Sequence, residues 1–316
     1  MKRRGLCLAL GLLALPARAA GDLREGRRVG LAFGTTFSIR ALHAEPSILA
    51  VALDAAVAEL RRMQSVLSLF DPASQVSRLN RDGVLQAPDP ALLAVLAEAR
   101  RIWAASEGGF DPTIQPLWRL WAAASAQGVQ PQAAALQEVL QRVDFAAVDI
   151  GEDAVRFLRP GMGLTLNGIA QGYACDQVMR VLRAHGIADA LVDTGEFGAM
   201  GRRGDGAPWQ VATRHPRGRG FLADPTPLLG CLAVSGDDEC AFTLDRSEHH
   251  ILDPRTGHSP RDLALLVVRA PSAALADGLS TAGFVLGPEQ AQSLASRSGA
   301  TVEAWVTKGG EVQRPG

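Results

Sequence analysis

Asp277 and Thr281, in "ALADGLSTAGFVLG", stand four residues apart and therefore share one face of a helix. Ala274, Leu279, Ala282 and Phe284 around them are apolar, which half-buries that face. A buried carboxylate needs a partner, because stripping its water is costly. Carboxylate and hydroxyl are both oxygen donors, and they suit a hard cation such as Mg2+, which takes few protein ligands and keeps several waters. A Thr bonded back to its own helix and an Asp capping a neighbouring segment have the same spacing, so both readings stand.

A second candidate is "LTLNGIAQGYACDQ", residues 164–177, where Asn167-Gly168 leads into a helical pattern with Gly172 in its first turn. Glycine lets backbone approach a ligand, and the first amides of a helix attract an anion such as phosphate. A plain tight turn explains the pair as well. In "SEHHILDPRTGHSP", His249 and His250 precede an Asp-Pro turn and, as neighbours on a β-like run, point to opposite faces. The inward one is either a satisfied core residue or a base for a hydroxyl proton. Phe70 in "LSLFDPASQVSRLN" and Phe110 in "GGFDPTIQPLW" share a Phe-Asp-Pro pattern. An aromatic beside a turn stacks on a flat ring or anchors its loop.

The elements that must position these residues change in texture along the chain. "VGLAFGTTFSIRAL" reads as one strand, and helical periodicity covers 46–68, 88–109 and 131–143, with a polar turn region at 70–83. From Phe145 onward short β-like segments dominate: "AAVDIGEDAVRFLRPGMGLTLN", then "ALVDTG", "PWQVATR", "CLAVSG", "AFTLD", "HHILDP" and "ALLVVRAP". Helices are expected over "IAQGYACDQVMRVLRAHG", "SAALADGLSTAGFVL" and "PEQAQSLASRS", with "ATVEAWV" as a last strand. Early helices and later strands with few βαβ alternations indicate α+β. Nothing resembles a linker, so residues 21–316 are expected to form one domain.

The net charge of -1 gives no support to nucleic acid or an anionic membrane as the main partner. Residues 1–20 differ from the rest: Lys2, Arg3 and Arg4 precede "GLCLALGLLALP" and then "ARAA", the order of an export signal. The apolar run falls short of the ~20 residues of a membrane span. A periplasmic protein, exported by the Sec or twin-arginine route and at most peripheral to the membrane, is expected. Cys7 leaves with the leader; Cys175, Cys231 and Cys240 remain, an odd number, and the last two could close a small loop. No CxxC or Cys/His cluster with zinc spacing is present.

Taken in order, "LSLFDPASQVSRLN", "GGFDPTIQPLW", "NGIAQGYACD", "VDTGEFGAMG", "SGDDECAFTLD", "HHILDPRTGHSP" and "LADGLSTAGFVLG" resemble the FAD:protein FMN transferase (ApbE) family across nearly the whole mature chain. "NGIAQGY" and "VDTGE" are similar to the NosX-like branch associated with nitrous oxide reductase maturation. The resemblance implies a T-fold-like domain that binds FAD and Mg2+, transfers FMN to a Thr or Ser of a target protein and releases AMP. It places the metal at Asp277, Thr281 and the backbone of Gly168. It puts flavin stacking at Phe70, where the family has Tyr, and FAD contacts at Gly109, Phe110 and Asp111. His250 becomes the base, and a NosR-like membrane flavoprotein the acceptor. Thr165 and Gln171, also expected to line the cofactor site, depart from the family's usual Asp and charged residue. Glu196 is expected to restore negative charge. A flavin-binding assembly factor without catalysis and an FAD pyrophosphatase are the rival expectations.

Overall fold

The computed structural model describes residues 23–315, and the expected leader lies outside them. The opening segment is a hairpin, not one strand. β1 (Arg24–Ala32) and β2 (Thr35–His43) pair antiparallel along their full lengths. Phe33 and Gly34 make the turn with φ of 52° and 79°, the positive pair that a type I′ turn demands. Phe33 is buried, so the apolar pattern runs through the reversal without a polar break.

Pro46 opens α1 (Pro46–Leu67), whose Leu49, Leu53, Leu60, Met63 and Leu67 form one buried stripe. The polar stretch expected as a turn contains α2 (Gln75–Asp82), capped by the Ser74 hydroxyl, which accepts from the Ser77 amide at 3.0 Å. Only Val76 and Leu79 of α2 are buried, too few for a visible period. Next come β3 (Val84–Gln86) and α3 (Pro90–Ala105), where Asp89 accepts from the Ala91 amide at 2.7 Å. They are followed by α4 (Gln115–Ala126), α5 (Ala133–Leu140), β4 (Val148–Ile150) and β5 (Ala154–Phe157). Then come α6 (Ala170–Ala184), β6 (Asp189–Asp193), β7 (Phe197–Met200), β8 (Gln210–Val211), β9 (Thr226–Pro227) and β10 (Gly230–Gly236). The chain closes through β11 (Leu263–Ala270), α7 (Ala273–Leu286), α8 (Pro288–Arg297), β12 (Thr301–Thr307) and β13 (Val312–Gln313).

Eight strands form the main antiparallel sheet in the order β1-β2-β6-β7-β10-β11-β12-β13, the α+β arrangement expected. Both faces of its centre are buried. On β11, Leu266 and Val268 enter the core shared with the helices, while Leu265 and Val267 pack on the other face with Leu232, Val306 and Leu228. α7 lies against β10 and β11, and α6 packs on both α1 and α7. With apolar residues nearly all round, α7 is a central helix, and a polar residue on it is buried by default.

Several expected strands are loops in which side chains take part of the backbone bonding. "AFTLD" and "HHILDP" share only the bridge Ala241↔His249. Here the Glu248 amide donates to Thr243 Oγ1 at 3.0 Å and the His249 amide to Ser259 Oγ at 2.8 Å. "LTLN" is also irregular despite burying Leu164 and Leu166. Asn80 does the work of a neighbouring strand there, donating to the Leu164 carbonyl at 2.7 Å and accepting from its amide at 2.6 Å.

Candidate active site

The irregular run before α6 delivers Gly168 to the side of α7, and two close approaches define the junction. A Cβ on Gly172 would lie 2.2 Å from the carbonyl oxygen of Ala273, so glycine is required there for helix packing. A Cβ on Gly168 would lie 2.8 Å from Thr281 Oγ1 and 3.3 Å from the Phe110 ring. Gly168 thus brings bare backbone against the Thr281 hydroxyl, with Phe110 as the buried wall beside it. Of the two readings of this stretch, packing accounts for Gly172 and close approach to a polar cluster accounts for Gly168.

Asp277 is 3% exposed and accepts from the Gly172 amide through Oδ2 at 3.0 Å. Burial pushes its pKa up to about 8; the Gly172 amide opposes the rise, and the carboxylates of Glu239 and Asp176 add to it. Ser280 Oγ donates to the Asp277 carbonyl at 2.9 Å and lies 2.8 Å from Ser235 Oγ, which in turn is 3.5 Å from Thr281 Oγ1. Ser235 and Ser280 extend this oxygen-rich patch. Serine beside Asp and Thr was their only signal, and β10 had to bring Ser235 across. The hydroxyl that bonds back to its own helix is that of Ser280 and not of Thr281, while Asp277 accepts from the first turn of α6, as the capping alternative expects.

Thr165 and Gln171 have local work. Thr165 Oγ1 accepts from the Asn167 amide at 3.2 Å, tightening the turn that carries Gly168. Gln171 Nε2 donates to the Thr194 carbonyl at 3.1 Å, and Thr194 Oγ1 donates to the Gln171 carbonyl at 3.0 Å. That reciprocal pair ties α6 to the turn bearing Glu196. Glu196 accepts from the Val234 amide at 3.2 Å and is buried. Burial, then Asp277, then Glu239 push its carboxyl well above the usual range. Burial and these two carboxylates all work against a negative charge on Glu196, the role expected of it.

The two histidines divide as their alternation requires. His249 is the inward one, fully buried, with its ring edge-on to Phe284 of α7 at 5.5 Å between centroids. Its Nδ1 accepts from the Ile251 amide at 3.3 Å, and burial lowers its pKa to about 3, with Lys308 and His250 adding to the fall. His249 is the core residue, bonded at Nδ1 but with Nε2 buried and without a hydrogen-bond partner among the described residues, and His250 turns outward. His250 Nδ1 donates to the Cys240 carbonyl at 3.2 Å, the tautomer that leaves the lone pair on Nε2, 4.0 Å from Glu239. A His held neutral by the fold should also leave a mark on acid stability. Its unfolded value near 6.5 lies above the folded one, so the unfolded chain binds the extra proton as pH falls. Stability is full above pH ~6.5, and at pH 5 this residue alone costs about 2 kcal/mol. Urea unfolding at pH 7.5 and pH 5 should show that loss shrink in His249→Gln; an unchanged pH dependence would assign it to other groups.

The remaining expected residues occupy other neighbourhoods. Asp111 turns into the protein: Oδ1 accepts from the Thr113 amide at 2.7 Å and from its hydroxyl at 2.5 Å, and Oδ2 from the Phe145 amide at 3.1 Å. Gly109 packs on Leu286 of α7, where a Cβ would come within 3.0 Å. Phe70 is 66% exposed, and its ring rests on Gly34 in the β1–β2 turn. Cys175, Cys231 and Cys240 are all free; burial pushes the Cys231 thiol up to about 12, which makes it inert. Two surface clefts of about 450 and 430 Å³, one beside Pro160 and one beside Gly30, contain none of these residues.

An antiparallel sheet backed by α6 and α7, with the buried Asp277 carboxyl on the same helix face as the Thr281 hydroxyl that meets the Gly168 turn, defines the class. Residues 33–306 match the ApbE family model, and the chain belongs to that family. It is 32% identical to the FAD:protein FMN transferase of Treponema pallidum, over 92% of this chain and 86% of that protein. The corresponding protein of Haemophilus influenzae is 29% identical over 86% and 84% of the two chains. Among solved structures, the apo form of the Pseudomonas stutzeri flavinyl transferase ApbE superposes with a TM-score of 0.77 at 30% identity, covering 90% of this chain and 92% of that one. The Vibrio cholerae flavin transferase ApbE, at 24% identity and a TM-score of 0.80 over 93% and 97% of the chains, shares the fold.

Proposed function

We propose that this protein is a Mg2+-dependent FAD:protein FMN transferase that moves FMN from FAD to a Thr or Ser hydroxyl of an acceptor protein and releases AMP. The observation that carries this reading is the buried Asp277 carboxylate, whose neighbours Thr281 and Gly168 add only neutral oxygen. Such a donor set fits a small hard cation that also bonds phosphate oxygens. Among the described residues no group of three or more His, Cys, Asp or Glu is placed to hold an ion. A cation here would take Asp277 as its ionisable protein ligand and draw further oxygens from a diphosphate. Bound Mg2+ would offset charge on the pyrophosphate as AMP leaves.

The acceptor hydroxyl attacks the FMN-side phosphorus, the bond to the AMP phosphate breaks, and a phosphoester forms. The hydroxyl proton goes to His250 Nε2, the nitrogen left unprotonated by the Cys240 carbonyl. Phe70, exposed on its turn, offers a face for the flavin ring. Gln171 and Thr165, the two departures from the family pattern, shape the site by fixing its turns. The leader-like first residues support a periplasmic setting and an exported or membrane acceptor, for which a NosR-like flavoprotein is our choice. Among the described residues no helix is long and apolar enough to cross a membrane.

Incubating the mature protein with FAD, Mg2+ and a Thr-bearing acceptor domain should add the mass of FMN to the acceptor. FAD binding without that increment would indicate an assembly factor. AMP and free FMN without acceptor would indicate a pyrophosphatase.

A further inference from the structure

We infer that Asp176 is a positioning residue for the oxygen cluster of Gly168, Asp277 and Thr281: from α6 it sets the register of α7, on which that cluster depends. The inference rests on the reading above that the cluster takes up a divalent cation. Asp176 Oδ1 accepts from the Ala273 amide at 2.8 Å and Oδ2 from the Ala274 amide at 3.0 Å, the first two amides of α7. Four residues earlier on the same face of α6, the Gly172 amide donates to Asp277 at 3.0 Å. Asp277 in turn lies four residues after Ala273, on the same face of α7.

The two helices are therefore joined reciprocally. The carboxylate of α6 holds the start of α7, and the carboxylate of α7 holds the start of α6. Between the two bonds, Gly172 lets the Ala273 carbonyl sit where a Cβ would be 2.2 Å away.

This geometry matters because of scale. A slip of α7 by one residue moves it about 1.5 Å along its axis, whereas cation–oxygen distances must hold to within ~0.2 Å. Ser272 already caps α7, its hydroxyl accepting from the Leu275 amide at 3.3 Å, so the helix start has a partner of its own. Asp176 adds a connection to the particular helix that follows the Gly168 turn. A cap alone would stabilise α7 without specifying where Asp277 stands relative to that turn.

The test uses the FAD-loaded protein well below its melting temperature. Mg2+ affinity is measured by calorimetry and exchange of the Gly172 amide by NMR, in the parent, Asp176→Asn, Asp176→Ala and Leu85→Ala. Leu85 is buried in β3 and serves as a control that loosens packing elsewhere. Asp176→Ala should weaken Mg2+ binding ~10-fold or more, as loss of an outer-shell partner does. It should also speed Gly172 exchange, because the amide's acceptor is no longer held in place. Asp176→Asn keeps one acceptor oxygen and should show a smaller loss of both; if the alanine variant does not fold, this one decides. Leu85→Ala should melt earlier with both readouts unchanged.

Parental Mg2+ affinity in both Asp176 variants would overturn the inference, as would an equal loss in Leu85→Ala. Weakened Mg2+ binding with unaltered Gly172 exchange would also overturn it, since charge and not position would then be responsible. If the parent takes up no Mg2+ at all, the cation reading itself fails and the inference falls with it.

Discussion

Asp277→Ala abolishes cation-dependent transfer while the protein remains folded: this is the largest effect expected from any single side chain here. The fold should tolerate the change because two terms oppose. Removing the carboxyl leaves the Gly172 amide without its acceptor, which costs about 1–3 kcal/mol for a buried donor. The same change relieves the burial that drives the carboxyl's pKa to about 8. Function has no such offset, since the remaining donors of the cluster are neutral. Losing a preorganised electrostatic partner of a phosphoryl group should lower turnover by at least ~10²–10³-fold. Asp277→Asn sharpens the test, because its amide oxygen still serves Gly172 while the charge is gone. The parent should gain about 2.7 kcal/mol of stability when Mg2+ is raised to a hundred times its Kd, and neither variant should. Transfer at the parental rate in Asp277→Ala would remove this residue from the cation site.

His250→Ala should slow FMN transfer by ~10²–10⁴-fold, the usual worth of a positioned base, with the KM for FAD little changed. Little else should be lost, for His250 is partly exposed and its polar contacts are one carbonyl and a distant Glu239. Single-turnover transfer and FAD titration on the same variant separate the roles. A collapse of FAD affinity with unchanged chemistry would make His250 a binding residue. The contrast with His249 is informative: one residue away, that imidazole is buried against Phe284 and kept neutral, so replacing it should change acid stability. Alternation in the chain separates a structural histidine from a chemical one.

Local sequence was a good guide wherever a local force dominates. α1, α3, α6 and α7 announce themselves because each must bury a stripe with helical spacing, and β11 because its residues are apolar on both faces. The pairing of Asp277 with Thr281 follows from helix geometry alone. The failures share one cause, which is non-local satisfaction of backbone groups. "LTLN" alternates like a strand, yet Asn80, distant in sequence, takes its backbone bonds. "AFTLD" and "HHILDP" keep one bridge, with Thr243 and Ser259 side chains taking the amides of Glu248 and His249. The hairpin at Phe33-Gly34 escaped notice because a buried aromatic occupies a position usually left to polar residues.

The sequence by itself determined which chemistry was available: a carboxylate and a hydroxyl on one helical face, glycines before another helix, and a His before an Asp-Pro turn. Periodicity and residue type are properties of short segments, and they survive without knowledge of the partners. Only the tertiary structure decided that Gly172 serves packing while Gly168 meets Thr281, that Asp111 faces inward, that Glu196 is buried with its pKa pushed up, and that Asp176 joins the two helices. Each of those outcomes depends on which distant group excludes water or supplies a hydrogen bond, and that is set by the packing of α6, α7 and β10 against one another.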